Sequence, residues 1–217
     1  GLAHEVGNPL AAVLGYMELL LGGLDDPALE RDLARRSQRE LRRIHVVIRQ
    51  LLDYSRPGTG EVEDVDLGEA AREAMDTVRL QPAFRDVALS VVEAGVIPKV
   101  RAVGDQLHQV LVNMLLNAGD AMDGGAVSTI SIEIQEADGA VELRCLDTGR
   151  GFDAVALDRA FEPFFTTRDV GEGTGLGLAT SLQVIERAGG TMWVVNRPQL
   201  GAEVGFRLPL SEAGRVD

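Results

Sequence analysis

The stretch Gly171-Glu172-Gly173-Thr174-Gly175-Leu176-Gly177-Leu178 contains four glycines and leads into the last predicted helix. Glycines before a helix leave backbone N–H groups free at its N-terminus, where the helix dipole also attracts an anion. The stretch therefore predicts a phosphate-binding segment. It is not a Walker motif, because no Gly-Lys-Ser/Thr ends it, and it lacks the spacing and the preceding strand of a dinucleotide fingerprint.

The segment just upstream, Phe161-Glu-Pro-Phe-Phe-Thr-Thr-Arg168, holds three of the six phenylalanines of the chain. We interpret it as a lid that its phenylalanines anchor, with Arg168 reaching the phosphates. A mobile surface loop is the alternative.

The run Asp147-Thr148-Gly149-Arg150-Gly151 lies where a predicted strand ends. A carboxylate at that place can accept hydrogen bonds from an exocyclic amine such as that of adenine, and the two glycines let the backbone approach a flat ring closely. Taken alone, the pattern is also that of an ordinary turn.

Two asparagines lie four residues apart on the predicted long helix, so Asn113 and Asn117 share one face. Their carbonyl oxygens are ligands that Mg²⁺ prefers. Taken alone, the pair is explained equally well as two amides that are hydrogen-bonded within the protein or lie on the helix surface. The neighbouring apolar residues predict the buried stripe of the helix: Val110, Leu111, Met114 and Leu115.

Helices are predicted over residues 67–80, 105–122 and 178–188, and strands over residues 87–92, 99–103, 127–136, 140–147, 191–196 and 202–208. Asp138-Gly139 between two of these strands is a strong hairpin signal. Strands and helices alternate without regular βαβ units. The pattern therefore favours a mixed sheet with helices layered on one face, an α/β sandwich.

The first 57 residues differ from the rest and predict a helical hairpin. Gly22-Gly23 and Asp25-Asp26-Pro27 interrupt the helical pattern between two heptad seams. The first seam consists of Leu10, Leu14, Met17, Leu21 and Leu24, and the second of Ala34, Ser37, Leu41, Ile44, Ile48, Leu51 and Ser55. Because a lone hairpin leaves its seam half exposed, we expect a homodimer through residues 1–57 that forms a four-helix bundle.

His4 lies off the first seam, at or near the surface, with Glu5 and the helix-kinking Pro9 beside it. A neutral imidazole nitrogen is a competent nucleophile near neutral pH, and Glu5 could accept or orient its proton. A surface histidine beside a helix-start proline is the alternative. His45 and His108 have no such flank.

Charge and composition exclude several classes of protein. The chain has 217 residues and a formal net charge of −13, and residues 1–57 carry eight basic and eight acidic side chains, so the excess lies after Pro57. That balance, with 4% aromatic residues, argues against a nucleic-acid binder. No apolar run reaches the roughly 18 residues of a membrane span, so this fragment predicts no membrane contact. A single cysteine suits a reducing cytosol.

Together the motifs resemble the catalytic core of the sensor histidine kinases of two-component systems. His4-Glu5-x-x-Asn8-Pro9 looks like the phosphoacceptor box and Asn113–Met122 like the asparagine box. Residues 147–151 are similar to the first glycine box, residues 161–168 to the phenylalanine box and residues 173–178 to the second glycine box. Asp120-Ala121-Met122 resembles the nitrogen-regulatory subclass.

The resemblance implies an α+β chain: a dimeric four-helix bundle followed by an α/β-sandwich domain of the histidine kinase, topoisomerase II and chaperone ATPase type. The expected boundaries are a dimerisation and histidine phosphotransfer domain over residues 1–57 with a truncated first helix, a linker over 58–66, an ATP-binding domain over 67–212 and a tail over 213–217. We expect a cytoplasmic protein, with room for a membrane anchor and a sensor domain before residue 1.

The resemblance also implies the chemistry. His4 would take the γ-phosphoryl group of ATP and pass it to an aspartate of a response regulator receiver domain, with Glu5 as general base and Asn8 orienting water for dephosphorylation. Asn113 and Asn117 would hold Mg²⁺. The expected ATP-binding residues are Asn117, Asp120, Asp147, Gly149, Gly151, Phe161, Arg168, Gly173, Thr174, Gly175, Leu176, Gly177 and Leu178.

The chain departs from the family pattern at three places. Gly119-Asp120-Ala121 supplies no basic residue after the second asparagine, and Arg168 stands where lysine is common. Glu203-Val204 replaces the threonine that often precedes the aromatic of the last strand, which removes the residue for a water-mediated adenine contact. An ATPase switch without autophosphorylation and a catalytically silent dimeric scaffold are the alternative functions.

Overall fold

A computed structural model describes residues 2–24, 26–55, 60–122, 128–168, 174–198 and 200–211. Contacts divide the chain into two compact units. The hairpin unit contains Gly1–Arg56 and Glu162–Leu176, and the sheet unit contains Pro57–Phe161 and Gly177–Asp217. None of the described helices is both long and apolar enough to cross a bilayer.

The hairpin unit consists mainly of α1, Leu2–Leu21, and α2, Pro27–Ser55. The chain leaves α1 at Gly22 and Gly23, where Gly23 has a φ of 78°. Helix α2 begins at Pro27, and the side chain of Asp26 accepts a hydrogen bond of 2.8 Å from the N–H of Ala28. The glycine pair and the proline therefore end and begin the helices as the sequence predicts.

Burial within the hairpin unit follows a stripe beside the predicted seam of α1. Val13 is 8% exposed, and Leu33 and Ser37 of α2 are each 6% exposed. The seam side chains of α1 stay outside this interface and are exposed by the following fractions: Leu10 47%, Leu14 57%, Met17 43% and Leu21 83%. The apolar face of α1 is thus two stripes wide, and only one of them is covered within the chain.

The sheet unit holds the remaining regular elements. The helices are α3, Leu67–Arg79; α4, Gly104–Asp120; α5, Ala154–Arg159; and α6, Gly177–Arg187, with a 3-10 turn at Pro82–Phe84. The strands are β1, Glu63–Val65; β2, Ala88–Ala94; β3, Val100–Ala102; β4, Thr129–Ala137; β5, Ala140–Asp147; β6, Thr191–Asn196; and β7, Ala202–Pro209.

Five strands form a mixed sheet in the order β2-β4-β5-β7-β6, in which β2 and β4 are parallel and the other neighbours antiparallel. Alternate residues of the strands are buried in one core with α3, α4 and α6. On the opposite face Arg144 donates a 3.0 Å hydrogen bond to Glu133. The predicted mixed sheet with a layer of helices is confirmed.

The hairpin turn between β4 and β5 is confirmed at Asp138-Gly139, whose φ angles are 50° and 72°. Positive φ at both central residues is what a type I′ turn requires, and its twist matches that of the two strands.

Three short elements, β1, the 3-10 turn and α5, were not predicted. Strand β1 lies within the predicted linker and pairs antiparallel with β3, with Val65 opposite Val100. Asp64 of β1 also accepts a 2.9 Å hydrogen bond from Ser211 near the end of the sheet unit. Three residues carry no periodicity, so only these distant partners make β1 a strand. Residues 56–59 and the predicted tail lie outside the described residues.

Candidate functional site

Asp147 ends β5 and is 3% exposed. Its Oδ1 accepts hydrogen bonds from the backbone N–H of Gly149 at 2.8 Å and of Ala202 at 3.1 Å. Among the described residues no group donates to Oδ2, so this oxygen is able to accept a hydrogen bond from a ligand. Burial raises the pKa of Asp147 above its usual value, while the two N–H groups and the charge of Arg197 act in the opposite direction.

The first glycine box packs against the end of α4. A Cβ on Gly149 would lie 2.5 Å from the carbonyl oxygen of Ala121, and the N–H of Arg150 donates to that oxygen at 3.0 Å. Gly151 has a φ of 71°. The structure requires Gly149 for packing on the protein itself, and the close approach of these glycines to a ring stays a prediction.

Asn113 is joined to the first turn of α6. Its Nδ2 donates to the carbonyl oxygen of Gly177 at 3.3 Å and to Ser181 Oγ at 3.5 Å. Ser181 is 1% exposed and donates to the same Gly177 oxygen at 2.8 Å. With its nitrogen held in this way, Asn113 presents its carbonyl oxygen Oδ1 as a hard donor suited to a cation such as Mg²⁺.

The other predicted residues of α4 and α6 lie in the same unit. Asn117 is half-buried one helical turn after Asn113, and Asp120 is exposed at the end of α4. Leu178 packs against the core at the start of α6. Phe161, half-buried, follows α5 in this unit.

The described residues Thr174, Gly175 and Leu176 of the second glycine box belong to the hairpin unit, and Gly175 contacts the phenylalanine box. The N–H of Phe164 donates to the carbonyl oxygen of Gly175 at 3.0 Å. Gly175 has a φ of 63°, and a Cβ there would lie 2.5 Å from the carbonyl oxygen of Phe165. Thr174 is half-buried and Leu176 is 1% exposed. The position of Gly173 lies outside the described residues.

Arg168 and the phosphoacceptor box also belong to the hairpin unit. Arg168 is half-buried, and its N–H donates to Thr166 Oγ1 at 3.1 Å. His4 and Glu5 lie in the helical backbone of α1, and their side chains are outside the described residues. Asn8 is exposed on α1. The roles of His4, Glu5 and Asn8 stay predictions.

Sequence reasoning missed four residues that hold the site: Ser181, Asn196, Arg197 and Ala202. Asn196 binds the backbone of Phe152, and Arg197 donates from NH1 to the backbone oxygen of Asp147 at 2.9 Å. These partners are 44 and 50 residues away in the chain. No local pattern could have indicated them.

Glu203, which occupies the place of the frequent threonine, is engaged elsewhere. Its Oε1 accepts a 2.8 Å hydrogen bond from Trp193 Nε1, while the neighbouring Val204 is buried in the core. The carboxylate of Glu203 therefore forms a side-chain hydrogen bond between β6 and β7.

Two family models match the chain. Residues 102–212 match the model described as histidine kinase-, DNA gyrase B-, and HSP90-like ATPase. Residues 1–60 match the His Kinase A (phospho-acceptor) domain.

Curated relatives are sensor histidine kinases. The chain is 32% identical over 211 residues to the sensor histidine kinase ZraS of Klebsiella oxytoca, which covers 97% of this chain and 45% of ZraS. It is 32% identical over 215 residues to the signal transduction histidine-protein kinase AtoS of Escherichia coli, covering 99% of this chain and 34% of AtoS. The chain thus spans less than half the length of these relatives.

Solved structures show the same architecture. The catalytic domain of the histidine kinase ThkA, in a nucleotide-free form, superimposes with a TM-score of 0.62 at 27% identity, covering 71% of this chain and 99% of that domain. ThkA in complex with the response regulator protein TrrA gives a TM-score of 0.75 at 25% identity, covering 98% of this chain and 61% of that one.

Proposed function

Because the chain belongs to the histidine kinase family of ATPases, we propose that it is the core of an ATP-dependent protein-histidine kinase. In this proposal His4 is autophosphorylated, and the phosphoryl group is then transferred to an aspartate of a response regulator. The observation that carries the nucleotide part is the geometry of Asp147, whose Oδ1 is held by two backbone N–H groups while Oδ2 remains for a ligand amine.

We assign recognition of the base to Asp147. A buried carboxylate oxygen without another partner accepts a hydrogen bond from the exocyclic amine of adenine, whereas guanine offers a carbonyl oxygen at the corresponding ring position. Because Asp147 cannot turn without breaking its bonds to Gly149 and Ala202, this selection is built into the fold. The proposed cofactor is therefore ATP.

We assign the phosphates to the start of α6 and to Arg168. Gly177 and Leu178 open α6, where the helix dipole and free N–H groups favour an anion. Asn113 Oδ1 and Asn117 are the proposed protein ligands of Mg²⁺, which would offset the charge on the phosphate oxygens. The second glycine box and Arg168 complete the proposed set.

The proposed chemical step is an in-line transfer. A ring nitrogen of His4 forms a bond to the γ-phosphorus, the bond from that phosphorus to the β–γ bridging oxygen breaks, and ADP leaves. Glu5 takes the imidazole proton as the nitrogen attacks. Asn8, exposed on α1, is proposed to orient the water that later dephosphorylates the response regulator.

We further propose that the hairpin unit forms a homodimer and binds a receiver domain. Dimerisation through a four-helix bundle would cover the seam residues of α1, such as Leu14 at 57% exposure. The ThkA complex with TrrA supports a response regulator as partner of this chain.

The test is incubation with γ-labelled ATP and Mg²⁺. We expect acid-labile, base-stable label on the wild type and on His45→Ala, an exposed histidine of α2 that serves as matched control. His4→Ala should carry no label and should still bind ATP. A chain that turns over ATP without acquiring label would be an ATPase switch, and one that binds no ATP would be a scaffold.

The transfer step needs a second assay. Labelled protein mixed with a panel of receiver domains should lose its label to one of them. Asn8→Ala should keep autophosphorylation and transfer but slow the loss of label from the receiver. Unchanged dephosphorylation in Asn8→Ala would remove Asn8 from this role.

A further inference from the structure

Asn196, the last residue of β6, binds both polar groups of a distant peptide backbone. Its Oδ1 accepts from the N–H of Phe152 at 2.8 Å, and its Nδ2 donates to the carbonyl oxygen of Phe152 at 2.7 Å. The side-chain amide thus pairs with Phe152 in the way that a neighbouring strand would. Phe152 directly follows the first glycine box and lies outside any helix or strand.

Glycines in both segments allow the two backbones to approach each other closely. A Cβ on Gly151 would lie 2.9 Å from Asn196 Oδ1 and 3.3 Å from the carbonyl oxygen of Gly201. Gly201 has a φ of 84°, and a Cβ there would lie 1.9 Å from the carbonyl oxygen of Asp147. The backbone between β6 and β7 is therefore packed directly onto the backbone of the first glycine box.

The same connection also holds Asp147. Arg197 donates from NH1 to the backbone oxygen of Asp147 at 2.9 Å, and the N–H of Arg197 donates to Gly201 at 3.0 Å. At the start of β7 the N–H of Ala202 donates to Asp147 Oδ1. One end of the first glycine box is thus held at Asp147 and the other end at Phe152.

We propose that Asn196 is a positioning residue for base recognition, because its two bonds to Phe152 hold residues 147–152 in the conformation that presents Asp147 Oδ2. This inference rests on the proposed binding of ATP. Without Asn196 the backbone that carries the N–H of Gly149 is no longer held at Phe152, so the bond from Gly149 to Asp147 Oδ1 weakens and Oδ2 is presented less precisely. The loss therefore falls on contacts to the base and leaves contacts to the phosphates unchanged.

The test compares three ligands on the full chain by titration calorimetry: Mg-ATP, Mg-GTP and inorganic tripolyphosphate with Mg²⁺. For Asn196→Ala we expect ATP binding to weaken about tenfold, with a smaller preference for ATP over GTP. Tripolyphosphate, which has no base, should bind within about twofold of wild type. Val195→Ala, a half-exposed neighbour on β6, is the control and should match wild type for all three ligands.

Asn196→Asp separates the two bonds. It keeps an acceptor for the Phe152 N–H but turns a second carboxylate oxygen towards the Phe152 carbonyl, so it should lose as much ATP affinity as Asn196→Ala. If the alanine variant fails to fold, the aspartate variant carries the same comparison.

Wild-type ATP affinity in both Asn196 variants would overturn the inference and leave the proposed function intact. Equal losses for ATP and tripolyphosphate would also overturn it, because Asn196 would then support the fold in general. A wild type that binds tripolyphosphate and shows no preference for ATP over GTP would refute base recognition by Asp147, and with it the positioning role.

Discussion

The two oxygens of Asp147 serve different purposes. Oδ1 joins β5 to the first glycine box and to β7 through the N–H groups of Gly149 and Ala202. Oδ2 is the oxygen to which we assign the ligand amine. The fold keeps this carboxylate 3% exposed, so burial disfavours its ionised form and raises its pKa, and the two backbone N–H groups offset only part of that cost.

Asp147→Asn should separate the two purposes. The amide oxygen can keep the bonds to Gly149 and Ala202, while Nδ2 then faces the adenine amine with a donor. Loss of a hydrogen bond to a charged group costs about 1.5–3 kcal/mol, or roughly ten- to a hundredfold in ATP affinity. Calorimetry checks this, with the exposed Asp158→Asn as control.

The same substitution should not lower stability at neutral pH. Burial raises the folded-state pKa of Asp147 above the usual 3.8, so the stability this group contributes is fully present below 3.8 and is lost as pH rises through the folded pKa. Urea unfolding should therefore show that the free energy of unfolding of Asp147→Asn, relative to wild type, increases as the pH rises from 3.8 through the folded-state pKa. A difference that is independent of pH would contradict the raised pKa.

Ser181 acts on the proposed cation site through Asn113. Ser181→Ala removes the acceptor at 3.5 Å from Asn113 Nδ2 and the bond to Gly177. We expect a several-fold loss of Mg²⁺-dependent ATP affinity with little change when Mg²⁺ is chelated, and about 1 kcal/mol of lost stability. Thr180→Ala on the same helix is the control. Equal losses with and without Mg²⁺ would refute the effect on Asn113.

At the scale of elements, α4 is fixed from both sides. Its end packs on the first glycine box through Ala121, and Gly119 faces Phe84 of the 3-10 turn. A Cβ on Gly119 would lie 2.6 Å from Phe84 Cζ, and Phe84 is 3% exposed. Phe84 therefore occupies the space that a side chain at position 119 would need.

Gly119→Ala should therefore destabilise the chain. Overpacking of this kind costs about 1–3 kcal/mol, even though alanine is the better helix former. Phe84→Leu shortens the opposing side chain, so the double variant should recover part of the loss. Urea unfolding of the two single variants and the double variant measures the coupling, and strictly additive losses would contradict the contact.

At the scale of the whole molecule, the hairpin unit leaves an apolar stripe uncovered. The stripe on α1 includes Leu10, Leu14 and Met17, and Leu41 and Ile48 of α2 are 52% and 44% exposed. Each of these side chains is about half exposed, so covering one yields roughly 1 kcal/mol, and a row of them on two helices favours association of two copies.

Leu14→Glu combined with Met17→Glu should convert the dimer to a monomer, because two carboxylates would have to be buried in the bundle. Sedimentation velocity over a range of concentrations measures the change. Leu80→Glu, at a leucine of the sheet unit that is 92% exposed, is the control and should stay dimeric. A dimer that survives the double substitution would place the interface elsewhere.

Local sequence patterns are enough to predict the elements that depend on contacts between near neighbours. Heptad and alternating patterns located α1, α2 and the main strands, and the Asp138-Gly139 turn specified its hairpin. The glycine and asparagine boxes predict the proposed nucleotide site. These signals are local because helix and strand periodicity act between near neighbours.

Features that depend on residues far apart in the chain are visible only in the folded protein. Strand β1 exists because β3 pairs with it, Gly119 is required by Phe84, and the seam of α1 lies beside the interface within its own hairpin. The support of Asp147 by Arg197 and of Phe152 by Asn196 spans 50 and 44 residues. Such contacts form when packed elements bring side chains together, and that packing leaves no periodic trace in the sequence.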